Sequence, residues 1–211
     1  HEFMTLALEQ ASFGQLIARP NPAVGCVLVK SNQVVGTGYT QQVGGPHAEV
    51  MAIQAAGDLA NGAIAYVTLE PCGHYGRTPP CSLALIEAGV STLVYGCQDP
   101  NPLVAGQGLS QLRTANIEVI GPVLEAECRR SNRGFLQRMK TNKPNVINKL
   151  AMSLDGRTAM KSGESQWITG PEARAQVHLL RAQSCAVITG IGSILRDNPS
   201  MNVRADELAL A

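Results

Sequence analysis

Aromatic residues make up 4% of the 211-residue chain, neither sign of charge dominates, and apolar runs are short. Each scarcity excludes something. One Trp, three Phe and four Tyr do not supply the ring platforms on which single-stranded bases stack. Seventeen Lys and Arg against sixteen Asp and Glu give a net charge of +1, without the basic footprint that nucleic-acid binding leaves. No run approaches the ~20 apolar residues needed to span a bilayer. The N-terminus has no basic segment followed by an apolar core and a cleavage site. Six cysteines in an unsignalled chain of this size read as thiols and ligands rather than a disulfide framework. These exclusions predict a soluble, cytoplasmic enzyme acting on a small molecule, with no nucleic-acid or membrane partner.

What is present is a compact set of metal ligands. His47-Ala48-Glu49 is followed by Pro71-Cys72 and then by Cys81. One imidazole and two thiolates fill three corners of a tetrahedral Zn²⁺ and leave the fourth for water. Glu49 stands two residues past the histidine, near enough to move protons at that water without binding the metal. Zinc deaminases use H-x-E ahead of P-C-x-x-C; here eight residues separate the cysteines. An H-x-E alone is common in ordinary helices, and two cysteines eight apart could be core residues or half of a structural zinc site. The joint pattern is much rarer. His47 opens an apolar helical stretch ending near Gly57, and the strand-like 65–69 delivers Glu70-Pro71-Cys72. Cys81 follows Pro79-Pro80 at the start of a helix, where the dipole favours a thiolate. Cys26, Cys97, Cys128 and Cys185 read as packing residues.

The remaining periodicity predicts an α/β fold. A helix is expected over 4–15, a hairpin over 23–30 and 33–38 around Ser31-Asn32, strands at 63–69, 91–96 and 117–120, and helices at 81–88 and 106–115. Strands alternating with helices imply three layers and a largely parallel second half of the sheet. Cys72 then lies past a strand's carboxyl end, where open α/β sheets place ligands. The periodicity breaks over 134–145, so a domain boundary is placed near residue 142, giving domains 1–142 and 143–211. In the second segment, strands are expected at 145–150 and 185–189, with turns at 153–157 and 167–170. A helix over 171–181 is expected to be capped by Thr169 or Gly170, with Pro171 in its first turn. About 70 residues is short for an independent α/β unit, so this segment is expected to be truncated or completed by something outside the 211 residues.

Several long strings carry a family resemblance. Asn21-Pro22 with Val24-Gly25-Cys26, PHAEV at 46–50, TLEPCGHYGRTPPC at 68–81 and DPNP at 99–102 resemble the bifunctional riboflavin-biosynthesis deaminase/reductase of bacteria. KLAMSLDGRTAMKSGESQWITG at 149–170 and VHLLRAQS at 177–184 resemble the start of that family's reductase domain. The resemblance implies a three-layer cytidine-deaminase-like domain followed by the N-terminal part of a dihydrofolate-reductase-like domain. It implies hydrolytic deamination of 2,5-diamino-6-(5-phosphoribosylamino)pyrimidin-4-one with release of ammonia. In the whole protein, NADPH-dependent reduction of the ribosyl to a ribityl chain follows. His47, Cys72 and Cys81 would hold one Zn²⁺ per chain, with Glu49 as the catalytic proton carrier.

Asn21 matches the family's pyrimidine-contacting position; His74 and Arg77, in the eight-residue loop between the cysteines, are placed to reach polar substrate groups beside the metal, and Arg77 is expected to help hold the ribotide phosphate. In the second segment Ser165, Arg181, Met201 and Arg204 match the substrate side, and Ala151, Trp167, Ser193 and Asp197 the NADPH side. Ser193 stands where threonine is usual. One departure is Gly38-Tyr39-Thr40, where the family often has G-x-H. A homo-oligomer is expected. Ammonia release but little NADPH oxidation is expected of the 211-residue chain. Two other readings stay open from the residues: another zinc deaminase for a free base, nucleoside or tRNA, and a non-catalytic zinc-stabilised binding module.

Overall fold

The computed structural model describes residues 1–76, 78–102 and 104–204. Contacts divide the chain into two units, His1–Asn145 and Val146–Ala211.

The first unit is built on a hairpin. Gly25–Lys30 (β1) and Gln33–Tyr39 (β2) pair antiparallel. Ser31 and Asn32, at φ +50° and +62°, make the two-residue turn whose twist matches the flanking strands. Ile64–Val67 (β3) joins the other side of β1 antiparallel, and Thr92–Tyr95 (β4) and Glu118–Ile120 (β5) follow in parallel. The strand order is β2-β1-β3-β4-β5, the mixed sheet with a parallel second half that the sequence predicts. Because β1 runs against its neighbours, its N-terminal end lies beside the C-terminal ends of β2 and β3. The segments carrying Asn21, His47 and Cys72 therefore leave the sheet at one end.

The helices of this unit are Glu2–Gly14 (α1), Ala48–Ala56 (α2), Cys81–Glu87 (α3), Gln107–Thr114 (α4), Glu125–Ser131 (α5) and Arg133–Thr141 (α6). Packing of α1 with α5, and of α2 with α3 and α3 with α4, makes three layers around the sheet. Scarce aromatics shape how the layers meet. Ala48, Ala52 and Ala56 form a buried stripe at i, i+4, i+8 on α2, facing Gly36 and Gly38 of β2. A Cβ on Gly38 would lie 2.3 Å from the Ala48 carbonyl oxygen, and one on Gly25 would lie 1.9 Å from that of Ala7. Small residues thus bring helix backbone onto strand backbone, which fixes α2 and its N-terminal His47 closely. Larger side chains fill the remainder: Leu28, Leu85 and Leu93 are fully buried, each worth about 1.5–3 kcal/mol of transfer energy.

The structure corrects several expectations. The stretch after residue 133, read as a break in periodicity, continues as helix α6. Gly134 sits exposed in its first turn, while Leu136 is buried and Phe135 packs against the core. No strand forms at 145–150 or 185–189 among the described residues. A strand needs a neighbour for its backbone groups, and none runs beside either segment. Cys185 is exposed rather than packed.

The described residues of the second unit hold two helices, Pro171–Ala182 (α7) and Ile191–Asp197 (α8). Gly170 is the N-cap of α7 and Pro171 its first residue. The Ser153 turn forms, with the Ser153 and Gly156 amides donating to Arg157 O and Ser153 O at 2.9 Å each. His178 is the one buried side chain among this unit's described residues. No helix among the described residues is long and apolar enough to cross a membrane.

Candidate metal centre and active site

His47 is the N-cap of α2, in extended conformation at φ −78°, ψ 167°. Cys72 lies in the loop beyond β3, and Cys81 opens α3 after Pro80. The three side chains converge. His47 Nδ1 is 3.1 Å from Cys81 Sγ and 3.8 Å from Cys72 Sγ, and the three ligand atoms all lie within 4.8 Å of one another. Tetrahedral zinc with bonds of about 2.1 Å to nitrogen and 2.3 Å to sulfur separates such atoms by about 3.6–3.8 Å. The donor set and its spacing fit that ion, with three protein ligands and a fourth position for a small molecule.

Electrostatics separate the two thiols. The Cys81 amide donates to Cys72 Sγ at 3.3 Å. Contacts with the Cys81 thiol, the His47 imidazole and that amide pull the Cys72 thiol down to about 4. The Cys81 thiol, beside that thiolate and buried, is pushed well above its ordinary value. The metal-free pair thus holds one proton between its two sulfurs. Hydrogen bonding to Cys72 raises the His47 imidazole despite its burial. Glu49 is buried in the first turn of α2. Burial first, and the Cys72 thiolate second, raise its carboxyl above the usual range. A carboxyl held high and in contact with Cys81 is suited to accept and return a proton near neutral pH.

Other residues brace this end of the sheet. The buried Glu70 carboxylate accepts the Gly106 amide at 2.7 Å and the Asp99 amide at 3.4 Å. Asp99 Oδ1 in turn accepts the Asn101 amide at 2.8 Å. Burial raises both carboxyls. Asn132, buried between α5 and α6, donates to Ala23 O and accepts from Ala23 N, both at 2.8 Å. It thereby latches the loop that carries Asn21. Sequence reasoning did not single out Glu70 or Asn132. A Glu directly before Pro-Cys at a strand end was the available sign for the first; a partner 109 residues away left none for the second.

Thr40 stands at the usual histidine position, and its hydroxyl is occupied. It accepts the Val24 amide at 3.0 Å, and the Thr40 and Val24 backbones bond at 2.9 Å. The residue closes the open end of the hairpin. His74 follows Cys72 in the ligand loop, and its Nδ1 is buried without a hydrogen-bond partner among the described residues. Arg77 lies outside the described residues.

In the second unit the expected site residues are spread along the chain. Arg181 ends α7 and donates to Asn202 O at 3.3 Å. Arg204 donates its backbone N–H to His178 Nδ1 at 3.2 Å, so the 201–204 stretch with Met201 lies against α7. Trp167 is exposed, with the Arg174 guanidinium 4.5 Å from its ring centre. Ser193 and Asp197 are exposed on α8, Ser165 is exposed, and Ala151 is half-buried in the irregular stretch before the Ser153 turn.

Comparison with known proteins agrees with this geometry. Residues 1–97 match the cytidine and deoxycytidylate deaminase zinc-binding region, and residues 144–211 match the RibD C-terminal domain. The riboflavin biosynthesis protein RibD of Escherichia coli K12 is 55% identical over 206 residues, covering 98% of this chain and 56% of that protein. The structure of Acinetobacter baumannii RibD superposes at a TM-score of 0.90 with 51% identity, over 99% of this chain and 60% of that one. A diaminohydroxyphosphoribosylaminopyrimidine deaminase/5-amino-6-(5-phosphoribosylamino)uracil reductase from Thermotoga maritima superposes at 0.91 with 42% identity, over 98% and 59%. The chain thus spans a little over half the length of these relatives. Both matched regions occur in one chain, and the likeness runs through nearly all of it: the chain belongs to the RibD family.

Proposed function

We propose that the first unit catalyses the hydrolytic deamination step of riboflavin biosynthesis. The substrate would be 2,5-diamino-6-(5-phosphoribosylamino)pyrimidin-4-one and the products the corresponding uracil ribotide and ammonia. The observation that carries this reading is the convergence of His47, Cys72 and Cys81 beside a buried carboxyl that is not a member of the ligand cluster.

Zn²⁺, when bound, supplies Lewis acidity that brings the pKa of a water toward 7. The remaining steps fall to the chain's own residues. Glu49 takes a proton from the attacking water and passes it to the adjacent ring nitrogen. As the carbon–nitrogen bond breaks, Glu49 takes the proton of the newly added hydroxyl, which becomes the carbonyl, and delivers it to the amine, which leaves as ammonia. Burial raises the Glu49 carboxyl, which brings its proton affinity nearer the working pH and makes both transfers efficient. Asn21 and the ligand-loop His74 would bind the pyrimidine ribotide. The partnerless His74 Nδ1 supports that role, because a buried polar atom without a partner is costly until something bonds it. Arg77 would pair with the phosphate, and loss of that contact in Arg77→Ala should raise KM.

For the second unit the proposal is the N-terminal part of an NADPH-dependent reductase. Ala151, Trp167, Ser193 and Asp197 would face the cofactor, and Ser165, Arg181, Met201 and Arg204 the ribotide. The match to the RibD C-terminal domain supports it. The domains 1–142 and 143–211, cytoplasmic location and assembly as a homo-oligomer belong to the same reading. The deciding experiment supplies the zinc-loaded chain with the ribotide, cytidine, deoxycytidylate and a tRNA, and measures ammonia. Release from the ribotide alone is expected; release only from another of the four would transfer the chain to a different deaminase class.

A further inference from the structure

Both cysteines of the metal cluster come from segments outside the sheet: Cys72 from the loop beyond β3, and Cys81 from the first turn of α3. Helix α4 meets both. A Cβ on Gly108 would lie 1.9 Å from the Pro71 carbonyl oxygen, and one on Gly73 would lie 2.7 Å from the Gly108 nitrogen. The first turn of α4 and the Pro71–Gly73 backbone are thus in direct contact, with no room for a side chain on either glycine.

One turn along, Gln111 reaches the neighbours of both cysteines. Its Nε2 donates to Gly73 O at 2.8 Å, and its Oε1 accepts from Ser82 Oγ at 2.5 Å. Gly73 follows Cys72, and the fully buried Ser82 follows Cys81. We propose that Gln111 is a positioning residue of the metal centre, a single side-chain amide that sets the spacing of the two thiolate-bearing segments. An amide suits both partners as they stand, with Gly73 O accepting and the Ser82 hydroxyl donating. Gly73 O can only accept, so the bridging group must donate to it while offering an acceptor to the serine hydroxyl, and glutamine does both at once. Other contacts tie the segments directly: the Ser82 amide to Cys72 O at 3.2 Å, the Cys81 amide to Cys72 Sγ, and the two thiols to each other. All belong to the ligand segments themselves. Gln111 is the contact that anchors the pair to a separate helix. Groups that orient metal ligands from behind typically account for about 10–100-fold in metal affinity.

This inference rests on the reading of His47, Cys72 and Cys81 as zinc ligands, and the test separates the two. Zinc dissociation constants are measured on the 211-residue chain by competition with a chromophoric chelator. The absorption spectrum of the cobalt(II)-substituted chain reports thiolate coordination. Gln111→Met keeps length and helix preference but neither donates nor accepts as an amide does. It is expected to weaken zinc binding about 10–100-fold and to alter the cobalt bands. Ser82→Ala cuts one end of the bridge and should give a smaller loss of the same kind. Arg113→Ala, exposed on the same helix, should leave affinity unaltered. Unchanged zinc affinity and cobalt spectra in both Gln111→Met and Ser82→Ala would overturn the proposal. So would an equal loss in Arg113→Ala. If Gln111→Met does not fold, Ser82→Ala and Gln111→Glu, which cannot donate to Gly73 O, carry the same test. A parent chain that binds no zinc would sink the metal reading itself.

Discussion

Leu93 and Val94 of the first unit, and Val187 and Ile188 of the second, belong to apolar runs of similar length and composition. The first pair is 0% and 6% exposed and lies in β4, between β3 and β5. The second pair is 45% and 93% exposed and lies in no strand. Val146, Leu150 and Leu195 repeat the contrast with Val27, Leu28 and Leu85. A β-branched run is an offer of strand structure that only a neighbouring strand and a covering helix complete. The first unit supplies both within itself. Among its described residues the second supplies two helices, one buried histidine and no sheet.

The comparison makes claims that can be broken. The largest effect is expected at the buried carboxyl of the first unit. Glu49→Gln should lower ammonia release by about 10²–10⁴-fold while zinc content and melting temperature stay near those of the parent chain. The same parent chain should show little or no ribotide-dependent NADPH oxidation at 340 nm, because the described residues of the second unit do not assemble a core around its proposed cofactor residues. Steady NADPH turnover would erase the distinction between the units.

Stability should divide along the same line. Leu85→Ala opens a cavity beneath α3 and is expected to cost about 2–5 kcal/mol in denaturant unfolding followed by far-ultraviolet circular dichroism. Ile188→Ala, at an exposed position, should change that transition by less than about 0.5 kcal/mol. A comparable loss at both positions would mean that the second unit is packed in solution after all.

Zinc affinity should rise with pH. The Cys72 thiol is pulled down to about 4 and the Cys81 thiol beside it is pushed up, so the metal-free pair keeps one proton at neutral pH. Binding must displace that proton, so the apparent affinity should rise about tenfold per pH unit. The slope should steepen at lower pH, where the raised His47 is also protonated. Chelator competition at several pH values measures it; a flat profile would refute the shared-proton description.

The smallest effect concerns Asp99. Burial raises its carboxyl, so the folded metal-free chain holds this proton more tightly than the unfolded chain does. The resulting contribution is fully present below about 3.9, the ordinary aspartate value, and is lost as pH rises through the raised value. Asp99→Asn removes that loss and keeps an acceptor for the Asn101 amide. Thermal melts of both forms should differ in the variant's favour at pH 7 more than at pH 4.

Much of the site was legible in advance because its chemistry is local. His47 and Glu49 share one helical turn, Cys81 follows Pro79-Pro80, and the run before Cys72 alternates as a strand does. The hairpin was equally plain, since Ser31-Asn32 is a turn with a mechanism. The break assigned after residue 133 was misread: Gly134 looks like a terminator, yet it sits in the exposed first turn of α6, whose Leu136 is buried.

Residue types and their spacing determined by themselves the donor set, the unligated carboxyl and the order of elements that carry them. Those depend on periodicity and on which atoms a side chain offers. Tertiary structure alone decided that Thr40 closes a hairpin, that Asn132 latches a loop 109 residues away, that Gln111 bridges both cysteine segments, and that two strand-like runs stay unpaired. Each of these depends on what a backbone group finds beside it once the chain has turned back on itself, and partners so distant in sequence leave no pattern along the chain.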